Sequence, residues 1–242
     1  MMGVFIVAEC GVNWGTMPDV INMIKSSKEA GADAVKFQYF RFQDIKNHPQ
    51  FEKLHWLALT PVLARQFIDY GKEVGILVFF TPENEDCVDD LEAAGNPLYK
   101  IGHNNCRNKK MWEKVAATGK NIIASVGADS YAPRGMIRRL GCKYRTRVLY
   151  CNPHYPTENC DVHMPDFGAT YDGFSDHTRG ITAALCAVSR GATVIEKHVM
   201  IKETDCIDKS VSVTFEEFAE MVKQIRRIEE ICNAKTVGTQ HQ

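Results

Sequence analysis

Eight short β-prone runs, separated by segments of helical periodicity, are what most limits the fold open to this chain. The runs occupy residues 4–10, 34–38, 77–80, 98–101, 122–125, 147–151, 171–175 and 194–198, with amphipathic stretches at 19–30, 61–74, 85–94, 108–117 and 181–190. A last stretch, 215–232, places Phe215, Phe218, Met221, Val222, Ile225 and Ile228 on the i, i+3, i+4 stripe of a helix laid against a core. Strand followed by helix, repeated in order, is the pattern of a parallel α/β sheet. Eight such units in 242 residues fit one closed (β/α)8 TIM barrel, a fold of about 250 residues.

An open doubly wound sheet shares the alternation, but it gathers its ligands at one switch point. Here chemically capable side chains close nearly every strand: Glu9, then Lys36 and Gln38, Thr81, Lys100 and His103, Ser125, Asn152, Ser175 to His177, and Glu196 to His198. A barrel turns all of these toward one mouth, which favours the barrel.

Hydrophobic residues make up 45% of the chain and no proline-rich or serine-rich linker divides it, so a single domain over 1–242 is expected. Net charge is −1, which leaves no global case for nucleic acid. The basic segment RGMIRRLGCKYRTR (134–147) reads as a solvated helix face and loop. The nine cysteines form no C-x-x-C pair. The opening MMGVFIVAEC lacks the charged region of a signal peptide, and no apolar run approaches the roughly 18 residues of a membrane span. A cytoplasmic protein with reduced thiols and no membrane partner is expected, with Cys10 and Cys151 as buried packing.

The seventh and eighth runs, YDGFSDHT (171–178) and TVIEKHVM (193–200), each end in a histidine beside an acid, Asp176 for His177 and Glu196 for His198. Two imidazoles on adjacent strands suit a divalent transition metal with open coordination positions. The first strand neighbours the eighth in a closed barrel, so Glu9 and Glu196 are expected to face each other across the metal, as ligands or as general acid and base. Lys36 and Lys100 lie inside strands, where an unpartnered ammonium is unfavourable. Converging with Thr81, Ser125 and Ser175, they point to an anion site, with phosphate the natural ligand.

The blocks FIVAECGVNWG (5–15), AGADAVKFQ (30–38), FFTPEN (79–84), LYKIG (98–102), IIASVG (122–127), HYPT (154–157), GFSDHTRG (173–180) and VIEKH (194–198) carry a resemblance. Together, and in this order, they resemble the N-acetylneuraminate (sialic acid) synthase family, which condenses phosphoenolpyruvate with an N-acyl amino sugar. The resemblance implies that Lys36, Thr81, Lys100, Ser125 and Ser175 hold phosphoenolpyruvate, with Gln38, His103 and Asn152 also lining the substrate site. It implies that His177 and His198 bind a divalent metal, Mn2+ by preference with Mg2+ or Co2+ as substitutes, and that Glu9 and Glu196 serve the reacting protons. Tyr155 and Asp208 fall where the family contacts the sugar.

The family pattern is broken at four places. Trp14 stands where the family has the histidine of N-H-x-G, and His103 replaces the serine after K-I-G. Pro153 aligns with an asparagine, with Asn152 beside it, and the loop from Tyr39 to about Leu59 is short. The sequence runs to Gln242 after the eighth helix, so the antifreeze-like domain that is common in relatives is expected to be missing. The reading is therefore a metal-dependent condensation of phosphoenolpyruvate with an amino sugar resembling N-acetylmannosamine. A smaller or phosphorylated aldose as acceptor, and a barrel without turnover, remain alternatives. A homodimer is the default assembly.

Overall fold

The structure is a computed structural model, which describes residues 3–127, 134–201 and 206–233, the side chains of Tyr144 and Asn233 excepted. The closing segment 234–242 lies outside the described residues. Eight parallel strands pair in chain order, β1 (Phe5–Gly11), β2 (Ala34–Tyr39), β3 (Leu77–Pro82), β4 (Leu98–Ile101), β5 (Asn121–Gly127), β6 (Thr146–Cys151), β7 (Gly173–Asp176) and β8 (Val194–Met200). Pairing of β1 with β8 closes the sheet into the TIM barrel expected from the alternation. A two-residue strand, β9 (Val213–Thr214), pairs in parallel alongside the end of β8. The strands sit within two residues of the sequence-based ranges; the pairing of β7 starts at Gly173 rather than at residue 171.

Helices Met17–Glu29, Pro61–Val74, Asp86–Ala94, Lys109–Ala117, Thr182–Ser189 and Phe215–Asn233 cover the barrel where periodicity placed them. The basic segment supplies one more, Arg134–Arg139, largely exposed except for Ile137. After β6 the chain forms a 3-10 turn, Asn159–Asp161, in place of a helix. Thr16 starts the first long helix with a reciprocal capping box to Asp19, and Gly75 ends the next in the left-handed conformation that glycine tolerates. Among the described residues no helix is long and apolar enough to cross a membrane.

Alternation along the strands separates two cores. Outward side chains such as Ile6, Ala8, Phe37, Phe80 and Tyr99 pack under the helices. Inward ones fill the lower barrel with Val7, Ala34, Phe79, Leu98, Ile123, Leu149 and Val194. One step of two residues up the strands, the same inward face changes from apolar to polar, with Cys151 above Leu149 as the exception. That change sets the floor of the site. Gly173 permits the seam between β7 and β8, because a Cβ there would lie 2.1 Å from the Val194 carbonyl oxygen.

Candidate active site

Two residues above the apolar floor stand Glu9, Lys36, Lys100, Ser125, Ser175 and Glu196, with His177 and His198 one further step up. All are buried. The register places Glu9 beside Lys36 on one side and His198 on the other, and Ser175 beside Glu196. Gln38, half-buried, is level with Thr81. Nearly all the residues expected at the mouth are thus gathered into one layer.

The two lysines are not unopposed. Lys36 contacts the Glu9 carboxylate and donates to Thr81 Oγ1 at 2.8 Å. Lys100 Nζ lies 3.0 Å from Glu196 Oε1, which also accepts from Ser175 Oγ at 2.7 Å. Burial pulls the Lys36 ammonium down to about 7 against the pull of the Glu196 charge. Burial pushes the Glu196 carboxyl up, but Lys100, Lys36 and Ser175 together hold it well below the usual range. A phosphate entering here meets two cations already shared with carboxylates. Ser125 Oγ, Glu9 Oε1 and Glu196 Oε2 are buried with no hydrogen-bond partner, so the layer keeps polar capacity for a ligand.

Glu9 and Glu196, expected to face each other across the metal as ligands or as general acid and base, each stand against a lysine of the same layer, and the register also sets Glu9 beside His198. Each carboxylate is tied to its own lysine. Among the described residues, no group of three or more His, Cys, Asp or Glu is arranged as a metal-ligand set.

The imidazoles themselves converge. The Tyr155 hydroxyl lies 2.9 Å from His177 Nε2 and 3.3 Å from His198 Nε2, so both ring nitrogens aim at one point. His177 Nδ1 donates to the Asn152 carbonyl at 2.7 Å, which leaves its Nε2 with the lone pair. Burial lowers His177 to about 4, and it lowers His198 well below its ordinary value with help from the neighbouring His177 and Lys36 charges. Two neutral imidazoles with convergent Nε2 atoms fit a divalent transition ion that draws its remaining ligands from water or substrate. Burial of the hydroxyl raises the Tyr155 phenol, which therefore stays protonated, although the residue as a whole is half exposed.

Asp208 Oδ2 stands 3.6 Å from His198 Nδ1, too far for a hydrogen bond. Burial raises its carboxyl to about 6 against the pull of Lys36. Gly11, at φ +49°, makes room for this corner: a Cβ on it would sit 3.0 Å from Glu9 Oε1 and 3.1 Å from Asp208 Oδ2.

Several residues take other places than expected. Asp176 points outward, away from His177, and pairs with buried Lys197 at 3.2 Å. Lys197 also donates to the Thr178 carbonyl at 2.6 Å. Strand parity explains this, since 176 and 197 alternate with the inward 175, 177, 196 and 198. The Asn152 amide is spent on its own loop: Nδ2 donates to the Asp161 carbonyl at 3.0 Å and Oδ1 accepts from the His154 backbone at 3.1 Å. Asn152 acts on the site through its carbonyl. His103 Nδ1 accepts from the Gly127 N–H at 3.1 Å, which leaves only Nε2 for a ligand.

Two contributors escaped sequence reasoning, Lys197 and Asn13. Asn13 is buried; its Nδ2 donates to the Val199 carbonyl at 3.0 Å and Ser212 Oγ at 2.9 Å, while Oδ1 accepts from Asp208 N–H at 3.1 Å. It thereby fixes the loop that carries Asp208. An asparagine two residues beyond a strand end was the available signal.

Residues 23–236 match the NeuB family. The chain belongs to the NeuB family. NeuB-family members are phosphoenolpyruvate-dependent sugar acid synthases, enzymes that form carbon–carbon bonds. Similar proteins include an uncharacterized protein of Methanocaldococcus jannaschii, 33% identical over 94% of this chain and 71% of that one. The human N-acetylneuraminate-9-phosphate synthase is 28% identical over 96% of this chain and 72% of its own length. Among solved structures, the N-acetylneuraminic acid (sialic acid) synthetase of Leptospira borgpetersenii in complex with citrate superposes with a TM-score of 0.84 at 26% identity, covering 99% of this chain and 88% of that one.

Proposed function

We propose that this NeuB-family chain condenses phosphoenolpyruvate with an amino sugar of the N-acetylmannosamine type, releasing phosphate and a sialic-acid-type 2-keto sugar acid in a metal-dependent reaction. The observation that carries the reading is the shared layer: two buried lysines and three hydroxyls stand directly beside two neutral, convergent imidazoles. Anion and electrophile sites so close suit a reaction that joins a phosphorylated enol to a carbonyl.

His177 and His198 would hold the metal, Mn2+ with Mg2+ or Co2+ as substitutes. When bound, that ion supplies Lewis-acid polarisation of the sugar's aldehyde oxygen. Lys36, Lys100, Thr81, Ser125 and Ser175 bind the phosphate and carboxylate of phosphoenolpyruvate and set its C3 against the aldehyde carbon. As the C3–C1 bond forms, C2 becomes electron-poor and takes up water. An unpartnered oxygen of Glu9 or Glu196 accepts the proton that this water loses and returns it to the alkoxide left on the former aldehyde carbon. The C2–O bond to phosphorus then breaks, and the lysines stabilise the departing phosphate. Tyr155 and Asp208 meet the acceptor at the rim, and Gln38 and His103 complete the wall. Nine free thiols support a cytoplasmic setting, and homodimers are the expected assembly.

A different aldose is the second reading, favoured by the bulk of Trp14 at the first loop. Phosphate release from phosphoenolpyruvate with Mn2+, screened over N-acetylmannosamine, other acetamido sugars and plain aldoses, separates the two. Release with N-acetylmannosamine supports the main reading, and release only with another aldose supports the second. Failure of phosphoenolpyruvate to shift the melting temperature would overturn the assignment of Lys36 and Lys100. His198→Ala is expected to lose Mn2+ binding at least 100-fold by electron paramagnetic titration; unchanged affinity removes His198 from the site.

A further inference from the structure

A cleft of about 500 Å³ opens between the loop after β1, the loop after β2 and the segment before Asp208. It shares a wall with the candidate centre. Asn13 and Ile207 line it, and Asn13 Oδ1 accepts from the N–H of Asp208, whose carboxylate stands 3.6 Å from His198 Nδ1. Two tryptophans also line it, and they differ in kind. Trp56 is 74% exposed, yet it is placed by a ladder of rings, with its centroid 4.2 Å from His55, which stacks 5.0 Å from Phe51. Trp14 is 9% exposed, wedged edge-on to Phe67 at 5.5 Å, and its indole Nε1–H is buried with no acceptor among the described residues.

An unpartnered buried donor beside an exposed aromatic face is a combination that packing does not require. The face suits C–H groups of a sugar or an acyl methyl, and the N–H suits a carbonyl or hydroxyl oxygen. Charge narrows the class. Among the described lining residues, Asp19 and Glu52 oppose Lys53 as the cation. The helix N-terminus at this wall already carries a carboxylate, because Asp19 Oδ2 accepts from the N–H groups of Gly15 and Thr16 at 3.2 and 2.8 Å.

We propose that this cleft recognises the end of the acceptor distal to its aldehyde, and that it takes an uncharged tail carrying acyl or hydroxyl groups rather than a phosphate. Trp56 supplies the face, Trp14 the hydrogen bond, and the two carboxylates the selection against an anionic tail. The proposal rests on the condensation reading above, since it specifies which acceptor that reaction takes.

The test measures phosphate release with phosphoenolpyruvate and Mn2+ over N-acetylmannosamine and N-acetylmannosamine 6-phosphate, beside titration calorimetry of each sugar. The unphosphorylated sugar is expected to have at least tenfold higher kcat/KM. Trp56→Ala is expected to raise KM for it roughly tenfold, equivalent to about 1.4 kcal/mol, and to leave KM for phosphoenolpyruvate within twofold. Trp14→Phe keeps the ring and removes the donor, so it is expected to weaken sugar binding about fivefold; Trp56, being exposed, serves as the variant that does not threaten the core. Preference for the 6-phosphate, or an unchanged acceptor KM in Trp56→Ala, overturns the proposal. If no sugar supports phosphate release, the condensation reading fails instead, and calorimetry still reads the cleft: sugar binding that is unaffected by Trp56→Ala rejects it.

Discussion

Replacing Lys100 by methionine isolates the buried charge pairing that underlies the candidate site. In the wild type, Lys100 Nζ lies 3.0 Å from Glu196 Oε1, Ser175 donates to the same oxygen at 2.7 Å, and both charged residues are almost fully buried. Lys100→Met leaves the carboxylate in a low-dielectric interior with Lys36 as the remaining nearby cation. Breaking a buried pair from one side costs about 3–5 kcal/mol, and the presence of Lys36 places the expectation near about 3 kcal/mol at pH 7.5. The pH dependence has a definite sign. The depressed Glu196 carboxyl stabilises the wild type above its unfolded value, and that contribution is lost on acidification. In the variant the carboxyl lies above its unfolded value, so its penalty is complete at neutral pH and shrinks as pH falls. The stability gap between the two proteins therefore narrows from pH 7.5 to pH 5. Urea unfolding followed by circular dichroism measures it as a shift in midpoint at unchanged slope. The double variant Lys100→Met/Glu196→Gln, which leaves no unpaired charge, is expected to recover most of the loss. A single variant within about 1 kcal/mol of wild type at pH 7.5, or a double variant no better than the single, would refute the reasoning.

Three further outcomes can be checked independently. His177 is lowered to about 4 and Asp208 raised to about 6, so they bias metal-free stability oppositely over pH 4–6.5. Relative to wild type, Asp208→Asn should gain about 3 kcal/mol as pH rises through that window, and His177→Gln should lose about as much, in urea titrations at fixed pH steps. Tyr155→Phe removes the hydroxyl that lies between the two Nε2 atoms and is expected to tighten Mn2+ binding about fivefold in calorimetry while weakening the acceptor; looser Mn2+ binding would make the hydroxyl a ligand instead. Gly173→Ala drives a Cβ into the Val194 carbonyl and should leave little soluble protein, which expression and gel filtration report.

The barrel was legible in the order of its strands, because a buried parallel strand needs an apolar run and each crossover needs a helix that repeats its own period. The short helix Arg134–Arg139 has no apolar stripe, since only Ile137 is buried, and it was legible from its charge as a solvated helix face. Parity along the strands also marked the inward residues: 7, 9 and 194, 196, 198 read directly as floor, carboxylate and imidazole levels. Asp176 was misplaced because nearness in sequence was taken for nearness in space, although its parity already turned it toward Lys197.

Residue types and their order along the chain thus determined which layer, which mouth and which chemistry, since alternation and strand order are local properties. Who pairs with whom was decided only by closure of the sheet. Bringing β1 against β8 and fixing the stagger set Glu9 on Lys36, Glu196 on Lys100, and the two imidazoles on one point beneath Tyr155. Those contacts span up to 96 residues of chain, and the charge state of each group follows from burial and neighbours that no local pattern records.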